Sequence, residues 1–183
     1  METPLNGPDV GPPTLERIRR APKVLLHDHL DGGLRPSTVI ELADETGYAD
    51  LPTTDADELA AWMLRGANRK DLTLYLETFA HTVGVMQTAP AIERVARECA
   101  EDLAADGVVY AEIRFAPELH TERGLSLDAV IEAVITGFEA GASGTDLTIR
   151  IICSAMRHLD RGLEVAQAAV RHRDHGVVGF DIA

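Results

Sequence analysis

The sequence predicts an α/β protein built on a parallel sheet, and three observations carry that expectation. Four short segments rich in β-branched or large apolar residues lie at 23–29, 108–115, 147–155 and 177–182. Stretches of helical period separate the later ones. Asp106-Gly107 and His175-Gly176 stand immediately before two of the strands, where a helix must stop. Helix followed by strand, repeated, is the rhythm of parallel pairing, because parallel neighbours need a crossover connection, usually a helix.

Taken in order, residues 1–13 carry Pro4, Gly7, Pro8, Gly11, Pro12 and Pro13 and read as a flexible leader ahead of a domain at 14–183. Thr14 to Arg20 predicts a short helix before the first strand. Ser37 can cap a helix to about Thr46, with Gly47 as its stop. Asp55 or Asp57 can open another through Leu64. Asp71 begins one in which Leu72, Tyr75, Leu76, Phe79, Val83 and Met86 share a face. A long amphipathic helix is expected over 90–105, a helix capped by Ser126 over 127–140, and one opened by Asp160 over 161–174. The first crossover is anomalous, since nearly eighty residues separate His29 from Val108. Extra helices at the end of that strand are expected to lid a pocket.

Composition narrows the function. The chain has 183 residues, 45% apolar and 26% charged, which suits one soluble globular domain with a substantial core. No apolar run approaches the ~18 residues of a membrane span, and the N-terminus lacks a signal-peptide pattern. A net charge of −13 argues against nucleic acid and anionic membranes as partners and leaves small molecules and proteins. Cys99 and Cys153 lie far apart in apolar segments and read as reduced core residues, which fits a cytoplasmic location.

The chemistry concentrates in Lys23 to Gly32, an apolar run ending in His27 and His29. Residues two apart on a strand share a face, so the two imidazoles are expected side by side, as the first two ligands of a metal ion would be. The dyad alone leaves open a strand end that merely faces solvent. Asp31 precedes Gly32-Gly33 and reads either as a binding carboxylate or as a turn acid. Asp28 points to the opposite face and is read as structural.

The segment from Lys23 to Gly32 resembles the opening strand of the adenosine deaminases, within the amidohydrolase superfamily. The resemblance continues at Gly107-Val-Val-Tyr-Ala-Glu-Ile-Arg-Phe-Ala-Pro117, at Ile152-Cys-Ser-Ala-Met-Arg-His158 and at Val177-Val-Gly-Phe-Asp-Ile-Ala183, in that order, and covers about residues 15 to 183. It implies a TIM-type (β/α)8 barrel, of which this chain supplies the first four units with a helical insertion after the first strand. It implies zinc-dependent hydrolytic deamination of adenosine or 2′-deoxyadenosine to inosine and ammonia, with one Zn²⁺ to activate a water for attack on C6 of the purine. His27 and His29 would be metal ligands, and His29 and Asp31 would lie against the substrate sugar. The family's third histidine ligand, catalytic glutamate, orienting histidine and metal-site aspartate all follow later strands, so no catalytic residue is assigned here. The chain is expected to be the N-terminal half of a longer protein, to bind zinc weakly, to be inactive alone, and to self-associate through its open barrel edge.

Competing readings are a deaminase of adenine or another purine derivative, a non-catalytic half-barrel, and a different amidohydrolase reaction such as cyclic-amide hydrolysis. Base-specific relatives tend to carry Glu where Asp31 stands, which favours the nucleoside, and the Glu-Ile-Arg-Phe-Ala-Pro block speaks against cyclic amides. The Pro-Cys-x-x-Cys run of cytidine- and tRNA-type deaminases is absent. Inside such a barrel Glu112, Arg114, Arg150 and Asp181 are expected to form an ionic layer beneath the metal end; the alternative places them outward at helix ends. Leu59, Trp62, Met63 and Phe79 could line the pocket or simply fill helix cores. Arg157 and His158 are read as packing or supporting residues, and His81, His120, His172 and His175 as solvated.

Overall fold

The computed structural model describes residue 12, residues 14–68, residue 70 and residues 72–183. The expected leader, apart from Pro12, and the helix start at Asp71 lie outside the described residues.

Four parallel strands form one sheet in sequential order: β1 (Lys23–His29), β2 (Val108–Phe115), β3 (Thr148–Ala155) and β4 (Val177–Ile182). These coincide with the four apolar segments to within a residue. Helix α1 (Leu15–Arg20) precedes β1. The long first crossover holds α2 (Pro36–Thr46), α3 (Ala56–Ala67), α4 (Leu72–Val85) and α5 (Ala89–Ala105). Helix α6 (Leu127–Ala142) joins β2 to β3, and α7 (Gly162–Arg171) joins β3 to β4. The arrangement is the first half of a TIM-type barrel.

Alternation along the strands sets two faces. Ala111, Ile113 and Phe115 of β2 and Ile151, Cys153 and Ala155 of β3 are buried under the helices. Their neighbours Tyr110, Glu112, Arg114, Arg150, Ile152 and Ser154 face the barrel interior. The core lies between the first set and α5 and α6, with Val95, Ala96, Ala100, Val130, Val134 and Phe138 among its members.

Several helix starts follow the sequence. Ser126 accepts from the Ala129 amide and Asp55 from Glu58, as expected, and Thr88, which the sequence reading did not single out, accepts from Ala91. Two do not. Ser37 is not a cap: α2 begins at Pro36, whose fixed φ suits the first helical position, and Arg35 precedes it. Asp160 does not open α7, which starts at Gly162 after Arg161, and the segment expected to run to 174 breaks into a 3₁₀ turn at Arg173–His175. Helix α3 outruns Leu64 by a turn, and Gly66 in that turn leaves room for the γ-methyl of Thr78, which would lie 2.5 Å from a Cβ there.

Candidate metal and substrate site

The site forms at the carboxyl end of β1, where the strand departs from regular geometry. Leu26 pairs with Glu112 and Asp28 with Ile113, so His27 is an extra residue, a bulge, with φ of 66°. The bulge decides which face carries the imidazoles. Leu25 pairs with the buried Ala111, and strict alternation from there would send His27 and His29 under the helices. The additional residue resets the phase, and His29 pairs with Arg114 on the interior face. His27 also reaches that face, its Nε2 lying 3.1 Å from Arg114 Nη1. The two rings stand 5.4 Å apart between centroids, so the expected pairing holds although plain alternation is not what produces it. Asp28 pairs with helix-facing Ile113 and accepts the His29 amide at 2.9 Å, in line with a structural role.

Beyond the strand, Leu30–Gly32 turns as a 3₁₀ helix that buries Asp31 to 6% exposure. Burial pushes the Asp31 carboxyl up to about 6. Its Oδ1 has no hydrogen-bond partner, although His29 Nδ1 lies 3.9 Å away. An unsatisfied buried carboxylate oxygen is costly, and here it borders a cavity where a ligand can supply the missing donor. Desolvation, followed by the charge of Arg114, lowers the His29 pKa and favours the neutral ring that a metal requires.

That cavity is a cleft of about 360 Å³ bounded by His29, Asp31, Gly32, Phe79, Arg114 and Met156, among others. Phe79 of α4 reaches it because Gly32 has no side chain; a Cβ there would sit 3.3 Å from the Phe79 ring. Of the four expected lid residues, Phe79 lines this cleft, and Met63 borders an adjoining one beside Asp31. Leu59 is wholly buried in the core, and Trp62 packs edge-on against His81 with ring centroids 5.2 Å apart. Sequence reasoning missed Tyr75, Leu76, Leu119 and Met156 as lining residues. For Tyr75 and Leu76 the apolar face of α4 was the available signal.

The expected four-membered ionic layer is only partly formed. Arg114 pairs with Asp181 at 2.9 Å and donates to Ser154 Oγ at 3.3 Å. Glu112 instead accepts from Tyr110 at 2.8 Å, and Arg150 donates to the Ile149 carbonyl at 2.9 Å. Three of the histidines read as solvated are not. His120 is fully buried, its Nδ1 3.0 Å from the Met86 carbonyl, and burial lowers its pKa to about 4. His81 bonds Tyr48 at 3.0 Å, and His172 lies buried beside Asp128 at 2.9 Å. Their partners come from distant segments, which local sequence cannot reveal. His175 is exposed, as are Arg157 and His158, and the Arg157 amide donates to the Ala183 carbonyl at 2.8 Å. Both cysteines are free, and burial raises each thiol to about 12.

Two imidazoles and a carboxylate with one free oxygen suit a borderline-soft divalent cation and a hydroxyl-bearing ligand. They do not complete a metal site, and among the described residues no group of three or more His, Cys, Asp or Glu could hold an ion. Nor is any helix among them long and apolar enough to cross a membrane. A parallel sheet whose strand ends carry such a cluster defines a barrel of the kind that places its chemistry at the carboxyl face.

Comparison with known proteins agrees with this. Residues 22–183 match the profile of the adenosine deaminase family, and the chain belongs to that family. The adenosine deaminase of Mycolicibacterium gilvum is 64% identical over 177 residues, covering 94% of this chain and 49% of that protein. An Arabidopsis N6-mAMP deaminase superposes with a TM-score of 0.78 at 28% identity, over 92% of this chain and 52% of the other. The adenine deaminase of Arthrobacter aurescens gives 0.74 at 27% identity, over 88% of this chain and 48% of that one. The chain thus spans about half the length of the relatives it matches.

Proposed function

We propose that this chain is the metal- and sugar-binding half of a zinc-dependent adenosine deaminase, which converts adenosine or 2′-deoxyadenosine to inosine and ammonia. The observation that carries the reading is the imidazole pair turned to the interior beside a buried carboxylate oxygen without a partner, in a member of this family. His27 and His29 would hold the Zn²⁺, which supplies an activated water at neutral pH. The remaining work of these residues is binding. Asp31, buried and short of a donor, accepts a sugar hydroxyl, and the ring of His29 flanks the same group. Phe79, Leu76 and Met156 give the cleft apolar walls against the purine and keep bulk water from it. The general acid and base are not among the residues of this chain to which a role can be given.

Asp31 also separates this reading from adenine deamination, since a base lacks the hydroxyl that would satisfy it. Residues 14–183 are then the first four strand–helix units, with two ligands of a site that wants about four. Alone, the chain would bind zinc weakly and form no inosine. Val24 and Leu26 on the interior face are 62% and 58% exposed, and among the described residues β1 and β4 are the outer strands of the sheet, which favours self-association of the chain in isolation.

The test joins this chain to the C-terminal half of the M. gilvum relative and assays inosine formation with zinc present. Activity on adenosine that disappears in His27→Ala and His29→Ala, and a KM rise in Asp31→Asn for adenosine, are expected. Turnover of adenine in preference to adenosine would sink the nucleoside assignment. Inosine formed by the 183-residue chain alone would refute the requirement for the other half.

A further inference from the structure

Three walls of the cleft come from separate elements: Val83 from α4, Leu119 from the 3₁₀ turn Pro117–His120 after β2, and Met156 from the position just past β3. Two buried polar side chains behind them tie the three together. Gln87, two residues beyond α4, donates through Nε2 to the Val83 and Leu119 carbonyls, each at 2.9 Å. Its Oε1 accepts the Glu122 amide at 3.1 Å, and because a backbone N–H only donates, that contact fixes which end of the side chain is oxygen. Glu118 makes the other joint. Strand β2 stops at Phe115, paired with Cys153, and the Met156 amide beyond that ladder donates to Glu118 Oε1. A carboxylate thus stands where a strand carbonyl would.

A turn made only for packing would not bury a carboxylate, and Glu118 is buried with Oε2 lacking a hydrogen-bond partner among the described residues. Neither Glu118 nor Gln87 lines the cleft; each acts through a residue that does. We propose that Glu118 and Gln87 are positioning residues for substrate binding: from behind the cleft they hold Val83, Leu119 and Met156 as one rigid apolar wall, so that α4 and the end of β3 keep a fixed spacing. The clamp stands on these contacts alone, whereas its effect on the substrate rests on the deaminase reading above.

Methyl NMR of the 183-residue chain, labelled at its four methionines, reads the clamp directly. In Glu118→Leu the Met156 methyl should move to the position of a mobile methionine while the buried Met86 methyl stays in place. Glu118→Gln, which keeps an acceptor for the amide, should leave both unmoved. If in Glu118→Leu both methyls move together, or neither moves, the proposal is overturned. Should that variant fail to fold, hydrogen exchange in the parent decides: the Met156 amide should be protected like the ladder amides of β3, and exchange at the open-chain rate overturns the clamp. With this chain joined to the C-terminal half of the M. gilvum relative, Glu118→Leu and Gln87→Leu should each raise KM for adenosine roughly tenfold, as misplaced binding contacts do, with kcat changed far less. Glu118→Gln should keep the parental KM. An active parent with unchanged KM in either folded leucine variant removes the positioning role and leaves the deaminase reading standing. An inactive parent sinks that reading, and the methyl and exchange results then decide the clamp by themselves.

Discussion

The α5–α6 contact and the carboxyl end of β1 are built on opposite terms. In the helix pair each local rule is obeyed. Thr88 and Ser126 cap, and Gly137 and Gly141 let the helices approach until a Cβ would lie 2.3 Å from the carbonyl oxygens of Glu93 and Arg97. At the end of β1 local rules are broken within five residues: a histidine at positive φ, a bulge in the pairing, and a buried carboxylate oxygen without a partner. Strain and unmet hydrogen bonds gather where a ligand is to be received, and the tightly packed helices supply the stability that tolerates them.

The contrast can be broken at its tight side first. Gly137→Ala places a methyl against backbone, which cannot yield as a flexible side chain would. Overpacking should lower unfolding stability by about 3 kcal/mol, with Gly141→Ala similar. Denaturant titration checks this, and an unchanged midpoint would mean that the helices have slack.

A buried histidine gives the next effect. His120 is neutral when folded, with its pKa lowered from 6.5 to about 4, so the unfolded chain binds the extra proton between those values. Its contribution therefore becomes increasingly unfavourable as pH falls from about 6.5 to 4 and levels off below. Up to about 3 kcal/mol of stability should be lost through this residue, at ~1.4 kcal/mol per pH unit. Comparing parent with His120→Gln across that range should show the parent losing stability more steeply; parallel curves would place the ring in water.

The loose side yields smaller numbers. His27→Ala and His27→Gly both remove the imidazole and its contact with Arg114, and they differ in the cost of holding φ at 66°. The glycine variant should be the more stable by about 1 kcal/mol in denaturant titration. The reverse order would show that the bulge relaxes once the ring is gone. Last, Val24→Ser and Leu26→Ser on the exposed interior face should shift folding stability by no more than about 0.5 kcal/mol. They should nonetheless shift a self-associating chain toward monomer in sizing chromatography.

The same contrast explains what could be read from sequence. The four strands were legible because their apolar, β-branched residues form continuous runs, and caps such as Ser126 stand beside the helices they begin. His27 and His29 were legible as a pair, but not the bulge that turns them inward, because periodicity counts residues and does not register a backbone that holds one extra. His120 and His81 were misread because Met86 and Tyr48 lie more than thirty residues away in sequence. Asp31 showed its position and not its burial, which α4 and the 3₁₀ turn impose together.

The two cysteines carry a further consequence. Thiols raised to about 12 by burial carry almost no thiolate at neutral pH, so alkylating reagents should scarcely touch Cys99 on α5 or Cys153 on β3 while the chain is folded. Each becomes a native reporter of opening events. Cys153 times separation of the central strands from their helices, and Cys99 times the departure of α5 from β1.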